Sequence, residues 1–432
     1  MIKMVRRIVI FVLAFTCIVN AQAQQSSNFS AYKFVRFLQY VSNDYVDTVN
    51  PNRIVDEAIK NTLEKLDPHS VYITKEQVQA MNEPLEGNFE GVGVEFNIMN
   101  DTLMVVNPTV GGPSEKVGII AGDRIIAIDG KSIAGVGLKT NDVFKYLRGA
   151  KGTKVNLSIK RKNVSNLLDF TVTRDKIPIY SIDATYMVDK RIGYIKLSRF
   201  AATTDQEFSD AVKQLKKQNM KDLILDLRGN GGGFLDAAVK LSDQFLNSGK
   251  LIVYTEGRTS PRTDFFATPE GELEQTRLIV LIDEGSASSS EIFTGAIQDW
   301  DRGIVIGRRS FGKGLVQNQI GLPDGSMIRL TVARYHTPSG RVIQKPYNNQ
   351  DFEQYELELD TRYKKGEFFT IDSIKLPENL KYKTLQKGKI VYGGGGIMPD
   401  IFVGIDTTKN STYFGSLIRK GVLNQFCFNY VD

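Results

Sequence analysis

The chain has 432 residues, 41% hydrophobic and 24% charged, ordinary proportions for a folded protein and more length than one core usually serves. Its formal net charge of +6 falls to +3 without residues 1–23, too balanced to argue for nucleic acid as a partner. Two widely separated histidines, His69 and His336, and two cysteines argue against a structural zinc site, and no metal or cofactor is expected.

Residues 1–23 read as an export signal. Lys3, Arg6 and Arg7 form a positive start, Ile8 to Val19 an apolar run, and Ala21-Gln22-Ala23 a small-residue cleavage site. The expected location is the periplasm, or its membrane surface if the segment stays uncleaved as an anchor. Removing the segment takes away three positive charges and no acids, so +6 becomes +3. Cys427 is then the single cysteine, and the mature chain has no internal disulfide to rely on.

Residues 24–83 carry helical spacing. Tyr32, Val35, Leu38 and Val41 form one stripe, and Ile54, Ala58, Ile59, Leu63 and Leu66 a second, ended by Asp67-Pro68. His69 falls in the turn that follows and reads as a loop or cap residue. Residues 84–175 form a β-rich domain. Strand patterns run through Val94, Phe96 and Ile98, through Leu103 to Val106, through Ile125 to Ile128 and through Val155 to Ile159, with a helix signal at Val143, Phe144 and Leu147. The stretches FEGVGVEF (89–96) and GPSEKVGIIAGDRIIAIDGKSI (112–133) resemble a PDZ domain. That resemblance implies a groove that binds a peptide tail as an added strand. The tail's carboxylate would be held by backbone N–H groups at Gly91, Val92, Gly93 and Val94.

From residue 176 to 405 strands and helices alternate, which argues an α/β core. Within it, residues 346–390 are polar and tyrosine-rich and read as a surface insertion, and residues 406–432 as a short tail with helical character. Two glycine-rich sites stand out. Gly307-x-x-x-x-Gly312-Lys313 has the start of a phosphate loop, but Gly314 stands where Ser or Thr must reach magnesium, and a strand pattern follows instead of a helix. Gly229 to Gly233 follows the strand Leu223 to Leu227 and precedes a helix. Backbone N–H groups exposed there suit an oxyanion hole.

The stretch from Glu284 to Gln317 brings the remaining chemistry together. Ser288-x-x-Glu291 has the form of a capping box, so Ser288 reads as a helix cap or as a nucleophile. Four serines, at 286, 288, 289 and 290, cannot all be caps. An amphipathic helix is expected through Ile292, Phe293, Ala296, Ile297 and Trp300, and Lys313 then sits between two glycines.

Together these segments resemble the C-terminal processing peptidases, also called tail-specific proteases. The resemblance rests on LDPHSVY (66–72), the PDZ stretch, DLRGNGGG (226–233), GSASSSEIFTGAIQD (285–299), GRRSFGKGLVQ (307–317), ARYHTPSGRVIQ (333–344) and GGGGIMPDI (393–401), in that order along the chain. It implies a crotonase-like α/β peptidase core with the PDZ domain inserted and a helical segment before it. It further implies Ser288 as nucleophile, Lys313 as general base, Gln317 as the residue orienting the lysine, and an oxyanion hole from the N–H groups of Ser289 and Gly233. Desolvation would favour a neutral, basic lysine at this position. The implied substrates are polypeptides with exposed C-terminal tails. Two further hypotheses concern partners: that the N-terminal helices form a homodimer, and that an adaptor protein delivers substrates. The alternative function is a non-catalytic PDZ scaffold of the same fold.

Overall fold

The computed structural model describes residues 29–347, 352–408 and 411–431. The segment read as an export signal lies outside them. The chain divides into two units, one up to Tyr72 and one from Ile73 onward.

In the first unit, helices cover 29–44 and Pro51–Leu63. The second helix starts at Asn50, whose side-chain oxygen accepts from the N–H groups of Asn52 and Arg53 at 3.1 and 3.3 Å. Pro51 opens it, where its missing N–H costs nothing. Beyond it, the Asp67 carboxylate accepts from the His69 and Ser70 N–H groups and the Ser70 hydroxyl, at 2.8, 2.9 and 2.6 Å. These bonds close the turn that holds His69. On the first helix Phe29, Tyr32, Phe34, Val35, Phe37 and Tyr40 are exposed, while Leu38 and Val41 of the expected stripe are half-buried.

The second unit opens with the helix Lys75–Glu86, which carries Pro84 inside it and ends at Gly87 with φ of +78°. The expected boundary at residue 84 therefore falls within a helix, and the next strand begins at Asn88. The β-rich segment is an antiparallel sheet in the order Val94–Met99, Thr102–Pro108, Arg124–Ile128, Lys154–Lys160, Leu168–Thr173. Side chains of Lys154–Lys160 alternate between exposed and buried, the period of a strand with one face on a core. That core gathers Leu103, Val105, Ile125, Val143, Leu157 and Ile159, with Val143 supplied by the helix Thr140–Leu147. Chain entry and exit are one antiparallel ribbon, Asn88–Gly91 against Asp175–Pro178.

The rest is built on a six-stranded sheet in the order Ile182–Met187, Ile192–Leu197, Asp222–Asp226, Arg277–Ile282, Ile304–Gly307, Ile401–Phe402. Its first pair is antiparallel and the others are parallel. Parallel neighbours need long crossovers. The helices Thr204–Lys217, Leu235–Asp243 and Ser289–Asp299 lie in those crossovers. They bury Phe208, Leu241 and Phe293 in one core with Leu225 and Val280 of the strands. A second sheet pairs Leu315–Gly321 with Met327–His336, which in turn pairs with Leu251–Glu256.

Two expectations are corrected here. The helix Ser289–Asp299 is not amphipathic, because every one of its residues is buried. Nor do residues 346–390 lie only on the surface. Tyr355, Arg362, Glu367 and Phe368 are buried, and Arg362 donates to the carbonyls of Ser310 and Arg309 at 3.1 and 2.7 Å. Polarity misleads in that segment because its charged side chains find partners inside.

The buried helix is anchored at its far end by a charge pair. Arg341 and Asp299 are fully buried, with nitrogen and oxygen 2.7 Å apart. Arg341 also donates to the Gln298 side chain and the Tyr392 carbonyl at 2.8 and 3.0 Å. Removing one partner of such a pair leaves a buried charge uncompensated, which costs about 3–5 kcal/mol. Arg341→Met is expected to lower the urea midpoint accordingly. An unchanged midpoint would show that Asp299 finds compensation elsewhere.

Candidate functional site

The strands Asp222–Asp226 and Arg277–Ile282 are parallel neighbours in register. Their carboxyl ends therefore open side by side, into Arg228–Phe234 and Asp283–Ser288, the usual place for a site in a parallel sheet. Side chains tie the two loops together. The Asp283 carboxylate accepts from the Gly229 N–H at 2.8 Å, and the Asn230 carbonyl accepts from the Ala287 N–H at 3.0 Å. Glycine is required where the loops touch. At Gly232 (φ +97°) a Cβ would lie 2.8 Å from the Ser288 Cβ, and at Gly233 (φ +151°) it would lie 2.0 Å from the Phe200 carbonyl oxygen.

The four serines separate cleanly. Ser286 donates to the Leu227 carbonyl at 2.8 Å, Ser289 to the Gly233 carbonyl at 3.0 Å and Ser290 to the Asn230 carbonyl at 2.8 Å. All three are buried. Ser288 is half-buried, and among the described residues its hydroxyl donates to no protein group. Its backbone stands at φ +56°, ψ −114°, a conformation L residues rarely adopt, at a cost of about 1–3 kcal/mol. The turn thus sets Ser288 apart from its neighbours.

Ser288 and Lys313 line one cavity of about 480 Å³ with Gly231 to Phe234, Ser289, Gln317, Arg329, Tyr335 and Leu85. No acidic residue is among those lining it. The Lys313 ammonium nitrogen donates to the Gln317 side-chain oxygen at 3.1 Å. The N–H groups of Gly233 and Ser289 face no protein acceptor among the described residues. Of the residues singled out in this part of the sequence, the cavity brings together Ser288, Lys313, Gln317, Gly233 and Ser289. His336 lies outside it, stacked on Tyr254 with ring centres 4.4 Å apart.

Sequence reasoning missed two residues that shape this site. Glu291, expected only as the far half of a capping box, accepts four hydrogen bonds. One oxygen takes the Ser288 and Lys313 N–H groups, both at 2.9 Å, and the other takes the Gly312 N–H at 2.7 Å and the Ser310 hydroxyl at 2.5 Å. Burial pushes this carboxyl up to about 7, against the pull of those donors. Tyr335 places its hydroxyl 2.5 Å from the Lys313 carbonyl and 3.2 Å from that of Ser288, and burial holds its pKa well above the usual range. The Ser-x-x-Glu spacing was the only sign of Glu291, and nothing in the local sequence marks Tyr335.

Gly91 to Val94 lie apart from this cavity, in the β-rich domain. Gly91, Val92 and Gly93 are buried, and a Cβ on Gly93 (φ +73°) would lie 2.8 Å from Ile177. The Val92 carbonyl accepts from both the N–H and the hydroxyl of Ser114, at 3.1 and 2.8 Å. The N–H groups of Val92 and Gly93 donate to no backbone carbonyl among the described residues.

Comparison with known proteins gives consistent results. The profile of peptidase family S41 matches residues 191–353, and a PDZ-domain profile matches residues 104–161. The carboxy-terminal-processing protease of Bartonella bacilliformis is 38% identical over 355 residues, which cover 79% of this chain and 81% of that one. The carboxy-terminal processing protease CtpA of Bacillus subtilis is 32% identical over 385 residues, covering 87% and 82%. Among solved structures, a photosystem II D1 C-terminal processing protease overlays loosely, with a TM-score of 0.43 and 25% identity over 86% of this chain and 92% of that one.

The Glu291 carboxyl makes stability depend on pH in a defined direction. Its raised pKa means that the folded protein holds the proton more tightly than the unfolded chain does. The resulting stabilisation is fully present below the ordinary value of 4.5 and is lost as pH rises through about 7. The thermal midpoint of the parent should therefore fall relative to Glu291→Gln as pH is raised from 5 to 8. A constant difference between the two would mean that the carboxyl stays ionised throughout.

Proposed function

The chain belongs to the carboxy-terminal processing proteases, serine peptidases of family S41 that carry a PDZ domain, and from that membership we propose how it cuts. Ser288 is the nucleophile, Lys313 the general base, Gln317 the residue that orients the base, and the Gly233 and Ser289 N–H groups form the oxyanion hole. One observation carries this reading: Ser286, Ser289 and Ser290 donate their hydroxyls to backbone carbonyls, while that of Ser288 donates to no protein group among the described residues, in the cavity it shares with Lys313.

The chemistry is acyl transfer. Neutral Lys313 accepts the Ser288 hydroxyl proton as the oxygen attacks the peptide carbonyl carbon. The two N–H groups stabilise the oxyanion that forms, and one such donor is worth about 3 kcal/mol in the barrier. Collapse breaks the C–N bond, and the proton on Lys313 passes to the leaving amine. Water then attacks the ester carbonyl, giving a proton to Lys313, which passes it to the Ser288 oxygen as the acyl C–O bond breaks, restoring the hydroxyl and the neutral amine. A cavity without carboxylates supports a lysine that must be neutral to begin. The bond to Gln317 fixes the amine without adding negative charge that would keep it protonated.

Selection of substrate belongs in this reading to the PDZ domain, with Gly91 to Val94 receiving the carboxylate of a C-terminal tail. The available N–H groups of Val92 and Gly93 support that role. Residues 1–23 direct export to the periplasm or anchor the chain at its membrane. The exposed aromatic residues of the helix at 29–44 support a homodimer formed there, and an adaptor protein that brings substrates completes the proposal.

The test uses an unfolded polypeptide with a free apolar tail, and the same polypeptide amidated. The parent should cut the free form faster. Ser288→Ala and Lys313→Ala should each lower kcat/KM by about a thousandfold or more. Undiminished cutting by both variants would refute the dyad, and equal rates on both substrates would refute recognition of the tail carboxylate.

A further inference from the structure

The cavity that holds Ser288 is also lined by a cation, Arg329, which the acyl-transfer chemistry does not use. It lies on the strand Met327–His336, directly opposite Gln319, while Thr331 lies opposite Gln317. Opposite and alternate residues of an antiparallel pair share a face, so Arg329 stands on the face of Gln317 and two positions, roughly 7 Å, further along. Its neighbour Gln319 donates its amide to Asn82 at 3.2 Å.

Arg329 is half-buried, yet among the described residues its guanidinium has no hydrogen bond and no ion pair. Some other partly buried arginines have several partners. Arg302 donates to the carbonyls of Phe245, Leu273 and Thr276, and Arg308 pairs with Glu284 at 2.7 Å. Burial alone acts on the Arg329 guanidinium, lowering its pKa, with no acid nearby to offset it. A cation desolvated without compensation is costly, and a planar guanidinium accepts a carboxylate through two parallel bonds.

We infer that Arg329 is a carboxylate-binding residue for the peptide in this cleft, favouring substrates that carry an acid two strand positions beyond Gln317. The inference rests on the reading of Ser288 as the nucleophile. The carboxylate has two chemical sources: a Glu or Asp side chain near the scissile bond, or the terminal carboxylate of a short tail that reaches directly into the cleft.

Two peptide sets separate these sources in the full chain. In the first, the C-terminus is amidated and one Glu or Gln is moved through the positions around the cut. In the second, peptides without acidic residues end in a free acid or an amide, with tails of increasing length. The parent should prefer Glu at one position, or the free acid at one short tail length, by about tenfold or more in kcat/KM. Arg329→Gln should bring that ratio to within about twofold, and Arg329→Lys should restore part of it. A preference that survives Arg329→Gln belongs to the PDZ domain or another residue and overturns the inference, as does the absence of any preference in the parent.

The same ratios are read as binding, by anisotropy of labelled peptides on Ser288→Ala protein with and without Arg329→Gln. If Ser288→Ala still cuts, the nucleophile assignment fails, but the acid-to-neutral ratio still decides on Arg329. Circular dichroism of both arginine variants confirms that a lost ratio is not a lost fold.

Discussion

The Glu291 carboxyl is the fixed point of the site. Ser288 comes from a strand-to-helix turn and Lys313 from a loop outside any helix or strand; one backbone bond, from the Phe311 N–H to the Ser286 carbonyl at 3.0 Å, joins the two segments but leaves a gap at Ser288 and Lys313 themselves. Glu291 spans that gap, with one oxygen on the N–H groups of Ser288 and Lys313 and the other on the lysine loop at Ser310 and Gly312. It can do so because it occupies the first turn of a fully buried helix, where unsatisfied N–H groups and the dipole favour negative charge. Water cannot compete for these bonds. Arg362 and Tyr335 take the loop carbonyls in turn, so the donors and acceptors of the segment around Lys313 are both engaged.

Strain and close approach cooperate beside it. Ser288 is held at a positive φ that its own Cβ disfavours, against a glycine that leaves no room for a side chain. The turn cannot relax inwards because Gly232 is already in contact, and it cannot relax outwards without losing the bond to Glu291. Its three serine neighbours add to this rigidity by tying their hydroxyls to loop carbonyls. A cluster of like residues thus contains three fasteners and one, Ser288, whose hydroxyl fastens nothing among the described residues.

Much of this can be read along the chain. Apolar runs mark the parallel strands, alternation marks the β-rich domain, and the glycine loop betrays itself by following one strand and preceding a helix. What escapes is whatever depends on partners distant in sequence. Glu291 shows its capping bond three residues away, but its other bonds cross 19 to 22 residues. Arg329 looks like one more polar residue on an alternating strand, and only the empty space around its guanidinium distinguishes it. Periodicity reports which face a residue occupies, not what meets it there. The same limit made a buried helix look amphipathic and a buried Arg362 look like surface.

The β-rich domain leaves the remainder of its unit through a single ribbon, with Asn88 opposite Pro178 and Gly91 opposite Asp175. Its two ends are therefore one strand spacing apart, about 5 Å, close enough for a tight turn to join them. Its hydrophobic core is its own, and the six-stranded sheet takes no strand from it. The β-rich domain is in this sense a cartridge on a fixed frame. Excision or exchange at that ribbon would leave untouched the strands that carry the serine and glycine loops.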